Sequence, residues 1–114
     1  IFKAYKISKR FDDDISSVCA AFNLTIENKK IKKIKIAYGG MAAIPKRAIY
    51  CEKILLNSSM TKDVIDKAKQ ALEKDFSPIN DVRASSSYRK IVAKNLLERC
   101  FLEINEKKLM EIYN

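Results

Sequence analysis

Aspartate, lysine and arginine are the residues through which this chain could do chemistry. Asp12, Asp13 and Asp14 stand in a row, five lysines fall between Lys29 and Lys35, and Arg83 and Arg89 flank a run of serines. A carboxylate triplet can hold a hard cation. A calcium loop, however, spaces its ligands at alternate positions around a glycine and closes on a glutamate, and "DDDISS" does neither. The simpler reading is a polar approach to a strand, with one aspartate pairing with Arg10 or Lys9. Clustered lysines attract phosphates, but they also form the wet face of a strand and guard an open edge. Here they alternate with isoleucines and have no aromatic residue among them for a base to stack on. Arg83 and Arg89 are planar donors suited to a carboxylate or a phosphate. An internal pair such as Asp81 with Arg89 would use them equally well, and residue types alone leave both readings open.

What the chain lacks narrows the chemistry further. It has no histidine, so no imidazole base or ligand comes from these residues. Its three cysteines, Cys19, Cys51 and Cys100, are far apart and form no C-x-x-C pair. They cannot by themselves complete a zinc or iron–sulfur site, and an odd number argues against a disulfide framework and for a reducing compartment. Buried free cysteine behaves as a small hydrophobe. The only two glycines are adjacent, Gly39 and Gly40, in "IAYGGMAAIPKRA". Phosphate cradles spread several glycines around a helix start, which this stretch does not. A sharp bend is the simpler reason for bare backbone, and it would also let a neighbouring domain approach closely.

The elements that must position these residues follow from periodicity. In "SVCAAFNLTIE" Val18, Ala20, Phe22, Leu24 and Ile26 alternate with Cys19, Ala21, Asn23, Thr25 and Glu27, the pattern of a half-buried strand. After the polar turn "ENKK", Ile34, Ile36 and Tyr38 share one face of a second strand and Lys33 and Lys35 the other. The pair predicts an antiparallel hairpin with one apolar and one wet face. "FKAYKIS" predicts a third, shorter strand. Pro45 suits the first turn of a helix running through "PKRAIYCEKILLN". Thr61 suits the N-cap of the next, "TKDVIDKAKQALEKDF". Pro78 sits in a connector, and a last helix starts near Ser85 to Ser87. Its stripe of Tyr88, Val92, Leu96, Cys100 and Ile104, widened by Ala93, Leu97 and Phe101, predicts the most buried helix of the three. Strands followed by helices predict an α+β fold: a small antiparallel sheet of three to four strands packed on about three helices.

With 114 residues, 47% of them hydrophobic, the chain suits one domain with one core. No apolar run approaches the ~20 residues that span a bilayer, and no secretory signal opens the sequence. The opening "IFKAYKISKR" is strand-like from its first residue and lacks a methionine, which predicts a piece of a longer polypeptide. The net charge of +9 suggests an acidic partner, and a small basic nucleic-acid-binding module is the alternative function on that ground. A stand-alone structural domain is a third.

The segments "YKISKRFDDDISSVCAAF", "IAYGGMAAIPKRA" and "SPINDVRASSSYR…NLLER", in this order, resemble the C-terminal domain of the FAD-bearing subunit of bacterial xanthine dehydrogenases. Those enzymes are molybdenum hydroxylases, with carbon monoxide dehydrogenase flavoproteins as relatives. The resemblance runs from Phe2 to about Leu102, implying a domain over 1–104 and a helical extension or frayed tail over 105–114. It implies a cytoplasmic oxidoreductase of purine catabolism. Electrons would pass from a molybdopterin subunit through iron–sulfur clusters to FAD and on to NAD. The FAD would be held mostly by an upstream FAD-binding domain, and the fragment alone would be inactive, with neither membrane nor nucleic acid as partner. The family's Y/F-K-x-x-x-R pattern matches Tyr5, Lys6 and Arg10, and its lysine lies close to the flavin. A fixed cation there would stabilise the reduced, anionic ring and raise its potential. The loop from Ser8 to Asp14 would lie near the flavin edge, which brings Arg10 and Asp13 into its neighbourhood.

Overall fold

The computed structural model describes residues 1–11, 14–41, 44–76 and 86–113, with the side chains of all of these except residues 8–11, 14–17, 86–87 and 107–113. Four antiparallel strands form one sheet in chain order: β1 (Phe2–Phe11), β2 (Asp14–Glu27), β3 (Lys30–Gly39) and the short β4 (Lys46–Arg47). Three helices follow: α1 (Ile49–Leu55), α2 (Lys62–Asp75) and α3 (Ser86–Tyr113). The expected α+β architecture is therefore the observed one.

Alternation decides which face the helices cover. Val18, Ala20, Phe22 and Leu24 of β2 and Ile34, Ile36 and Tyr38 of β3 are all buried beneath them. The facing residues are Cys51 and Leu55 of α1, Ala68 and Leu72 of α2, and Val92, Leu96, Leu97, Cys100, Phe101 and Ile104 of α3. Each buried side chain of this size contributes roughly 1.5–3 kcal/mol relative to exposure. Edge-to-face rings run through this core from Tyr5 to Phe22, Tyr38 and Phe76, with centroids 6.1, 6.1 and 5.5 Å apart. Tyr38 keeps its hydroxyl satisfied in the interior by donating to the Ala93 carbonyl at 2.7 Å.

The β2–β3 hairpin turns on Asn28 and Lys29 alone, since Glu27 faces Lys30 in the ladder. Both turn residues have positive φ, 53° and 65°, as a type I′ turn requires. A bulge between Thr25 and Ile26 takes up an extra residue on β3. Ile31 and Ile34 are three apart, so strict alternation would expose one of them. With the bulge both are buried, and Lys32 and Lys33 are both exposed.

Two elements differ from expectation. β1 is a full ten-residue strand, because it pairs along the long β2. The helix expected from Pro45 begins only at Ile49. Lys46 and Arg47 instead pair with Tyr38 and Ala37 on the β3 edge, and the Ala48 N–H donates to the Ile36 carbonyl at 2.9 Å. Open backbone groups on that edge claim the segment before it can coil. Glu52, buried in α1, completes the arrangement: its carboxylate accepts the Ile36 N–H at 3.0 Å and grips Arg47 through two bonds of 3.1 and 2.6 Å. Thr61 does cap α2, accepting the Val64 N–H at 3.4 Å.

Candidate functional site

The face of the sheet away from the helices carries the outward members of each strand. Register aligns them in rows: Lys6 beside Cys19 beside Gly39, then Ala4 beside Ala21 beside Ala37, then Phe2 beside Asn23 beside Lys35. The first two rows hold no polar side chain except Lys6. They line a shallow concavity of about 470 Å³, bounded by Pro45. At the other end Asn23, Thr25, Lys33 and Lys35 line a second hollow together with Leu24, Ile34 and Leu56. The lysines of "KKIKKIK" thus form the expected wet face.

Lys6 stands exposed on this bare floor. Its neighbour Tyr5 points the opposite way, as alternation requires, and is tied to α3. The Tyr5 hydroxyl donates to Glu103 at 2.6 Å, the Arg99 guanidinium lies 4.8 Å over its ring, and Arg99 Nε meets Glu103 at 3.1 Å. Partial burial and the bond to Glu103 push the phenol up, and that bond, with Arg99, holds the Glu103 carboxyl below the usual carboxylate range. This cluster anchors β1 from beneath while Lys6 faces outward.

The two glycines have two different reasons. Gly40 has φ of 86°, a conformation other residues avoid, and its carbonyl accepts from Arg89 at 3.1 Å. Gly39 is bare because a Cβ there would stand 2.6 Å from Cys19 Sγ. Arg89 therefore supports the bend. Its proposed partner Asp81, with Arg83, lies outside the described residues, as do Asp12 and Asp13. Arg10 faces Ile15 in the ladder, and its side chain lies outside the described set.

Among the described residues no cluster of His, Cys, Asp or Glu could hold a metal, and no helix is long and apolar enough to cross a membrane. Cys51 and Cys100 are buried. Burial pushes both thiols up, Cys100 to about 12, so neither is a nucleophile at neutral pH. What the face offers is a shallow hollow floored by small side chains, with Lys6 at its side. A planar ring fits against such a floor, whereas the described residues offer no cradle for a pyrophosphate. The sequence already showed its signal, Cys19 and Ala21 where a solvated strand would place polar groups, but only the register aligned them with Ala4, Ala37 and Gly39.

A family model for the CO dehydrogenase flavoprotein C-terminal domain matches residues 3–104. The chain belongs to this family. It is 30% identical over 100 residues to the glyceraldehyde dehydrogenase medium chain of Sulfolobus acidocaldarius, covering 88% of this chain and 36% of the relative. It is 29% identical over 113 residues to a xanthine dehydrogenase of Blastobotrys adeninivorans, covering 94% of this chain and 8% of the relative. A crystal structure of a Cu,Mo-CO dehydrogenase, in its cyanide-inactivated form, superposes with a TM-score of 0.73 at 26% identity, covering 86% of this chain and 34% of that one. As a CO dehydrogenase flavoprotein C-terminal domain, the chain spans about a third of the medium chain it matches.

Proposed function

We propose that this domain completes the FAD site of a molybdenum hydroxylase-type oxidoreductase and is inactive alone. The observation that carries the reading is Lys6, exposed on a floor of alanine, cysteine and glycine. Bound FAD would supply the ability to take up an electron pair and pass it on. Lys6 supplies a fixed positive charge beside the ring, favouring its reduced, anionic form. The small floor residues let the ring lie close to the backbone and exclude water from that side. Arg10 and Asp13 are proposed neighbours of the same ring. The upstream FAD-binding domain would hold the pyrophosphate. Residues 1–104 would form the domain proper and residues 105–114 a helical extension or frayed tail.

In this reading electrons reach the flavin from a molybdopterin subunit through iron–sulfur clusters and leave on NAD, in the cytoplasm. Xanthine is one proposed substrate. The relatives include a glyceraldehyde dehydrogenase and a xanthine dehydrogenase, so an aldehyde is the other substrate class to assay. The lysine-rich hairpin has its account as a wet face, and nucleic-acid binding gains no separate observation.

The test is a redox titration of the flavin subunit that carries this domain. Lys6→Ala lowers the flavin potential, on the order of tens of millivolts for one charge near the surface, and Lys6→Arg restores most of it. An unchanged potential in Lys6→Ala removes Lys6 from the flavin site.

A further inference from the structure

β1 is an edge strand: within the sheet it pairs with β2 alone. Its inward side chains hold it less firmly than those of its neighbours. Phe22 and Leu24 of β2 and Ile36 and Tyr38 of β3 are buried, whereas Lys3, Tyr5 and Ile7 of β1 are only half-buried. One carboxylate makes up the difference. Glu103 of α3 accepts the Tyr5 hydroxyl at 2.6 Å on Oε2, and the same oxygen lies 3.6 Å from Lys3 Nζ. Its Oε1 accepts Arg99 Nε at 3.1 Å, and the Arg99 guanidinium closes over the Tyr5 ring at 4.8 Å. Two alternate residues of β1 are thus tied to a single point on α3.

We propose that Glu103, acting through Tyr5, is a positioning residue for Lys6. The proposal rests on the function proposed above, in which Lys6 stands beside the flavin. Tyr5 and Lys6 are neighbours on opposite faces of one strand. A roll of β1 about its own axis that frees the Tyr5 ring from α3 therefore swings the lysine as well. The energy of a charge beside the ring falls with distance, so Lys6 tunes the flavin only as far as β1 is held in place. The pattern Y/F-K-x-x-x-R admits phenylalanine where this chain has Tyr5, so the work of the hydroxyl is particular to this chain.

The test measures flavin potential and amide hydrogen exchange on the flavin subunit that carries this domain. Tyr5→Phe removes the hydroxyl and no charge. The β1 amides bonded to β2 exchange roughly tenfold faster in this variant, and those between β2 and β3 keep their rates. The potential falls part of the way towards that of Lys6→Ala, and in a Lys6→Ala background Tyr5→Phe moves it no further. Glu103→Ala lowers the potential too. That sign separates positioning from a direct field, because deleting a negative charge would by itself favour the reduced anion and raise the potential. Glu103→Gln, which still accepts the hydroxyl, restores slow exchange in β1. Unchanged β1 exchange in both Tyr5→Phe and Glu103→Ala overturns the proposal. So does a potential that Tyr5→Phe leaves in place or raises while Lys6→Ala lowers it. If Lys6→Ala does not move the potential but Tyr5→Phe still quickens exchange in β1, the flavin reading falls and the clasp on β1 stands.

Discussion

Cys19 and Gly39 leave no room for a further side chain between them: a Cβ on Gly39 would stand 2.6 Å from the Cys19 sulfur. The two are cross-strand partners on the face of the sheet away from the helices. Gly39→Ala therefore forces the sulfur into another rotamer and costs roughly 1 kcal/mol, a mild case of overpacking. In a Cys19→Ala background the same change costs clearly less, because the obstructing atom is gone. Denaturant melts of the four variants in a double-mutant cycle measure the coupling, and additive effects would show that the contact is not the reason for the glycine.

Lys29 holds φ of 65° in the two-residue turn, where residues with a Cβ pay a steric cost of about 1–2 kcal/mol. Lys29→Gly removes that cost and gives back part of it as chain entropy in the unfolded state. The expected net gain is roughly 0.5 kcal/mol or more, visible as a melting temperature raised by a few degrees. A lowered melting temperature would contradict the turn assignment.

Asp75 ends α2 but serves α1. Its carboxylate accepts the N–H groups of Tyr50 at 2.7 Å and Cys51 at 2.9 Å, replacing the local cap that Ala48 does not provide. Asp75→Ala leaves the buried Cys51 N–H and the part-buried Tyr50 N–H without their acceptor and lowers stability by about 2 kcal/mol. Asp75→Asn retains an acceptor and recovers part of the loss. Chemical denaturation ranks the three proteins.

The Glu103 carboxyl is held low by the bond from Tyr5 and then by Arg99, and that of Glu73 by Lys94. A carboxylate whose folded pKa lies below its unfolded one stabilises the fold fully above the unfolded value, about 4.3 for Glu. That contribution disappears as the pH falls through the folded value. The melting temperature of the unmodified chain therefore drops more steeply below about pH 4.3 than that of Glu103→Gln. Parallel curves for the two proteins would remove Glu103 as a contributor.

Local pattern was enough for much of this molecule. Alternation along Val18–Ile26 and Ile34–Tyr38 gave the hairpin and its buried face, since a period of two leaves one choice of inside and outside. The stripe from Val92 to Ile104 gave the α3 core by the same logic at helical period. Thr61 marked a helix start through a bond that closes within three residues. The pattern Tyr5, Lys6, Arg10 and the "YGGM" stretch pointed to the family through resemblance, which needs no fold at all.

Tertiary structure alone decided the rest, because the deciding partners are far apart in sequence. Nothing near Pro45 says that Lys46 and Arg47 will pair with the β3 edge, or that Asp75, 24 residues on, will cap Cys51. Ile31 and Ile34 carried the bulge as an odd spacing between apolar residues, yet only pairing with β2 resolved it. Alanines at positions 4, 21 and 37 are unremarked one at a time. Strand register sets them side by side, and a surface property that depends on three strands at once cannot be read along one.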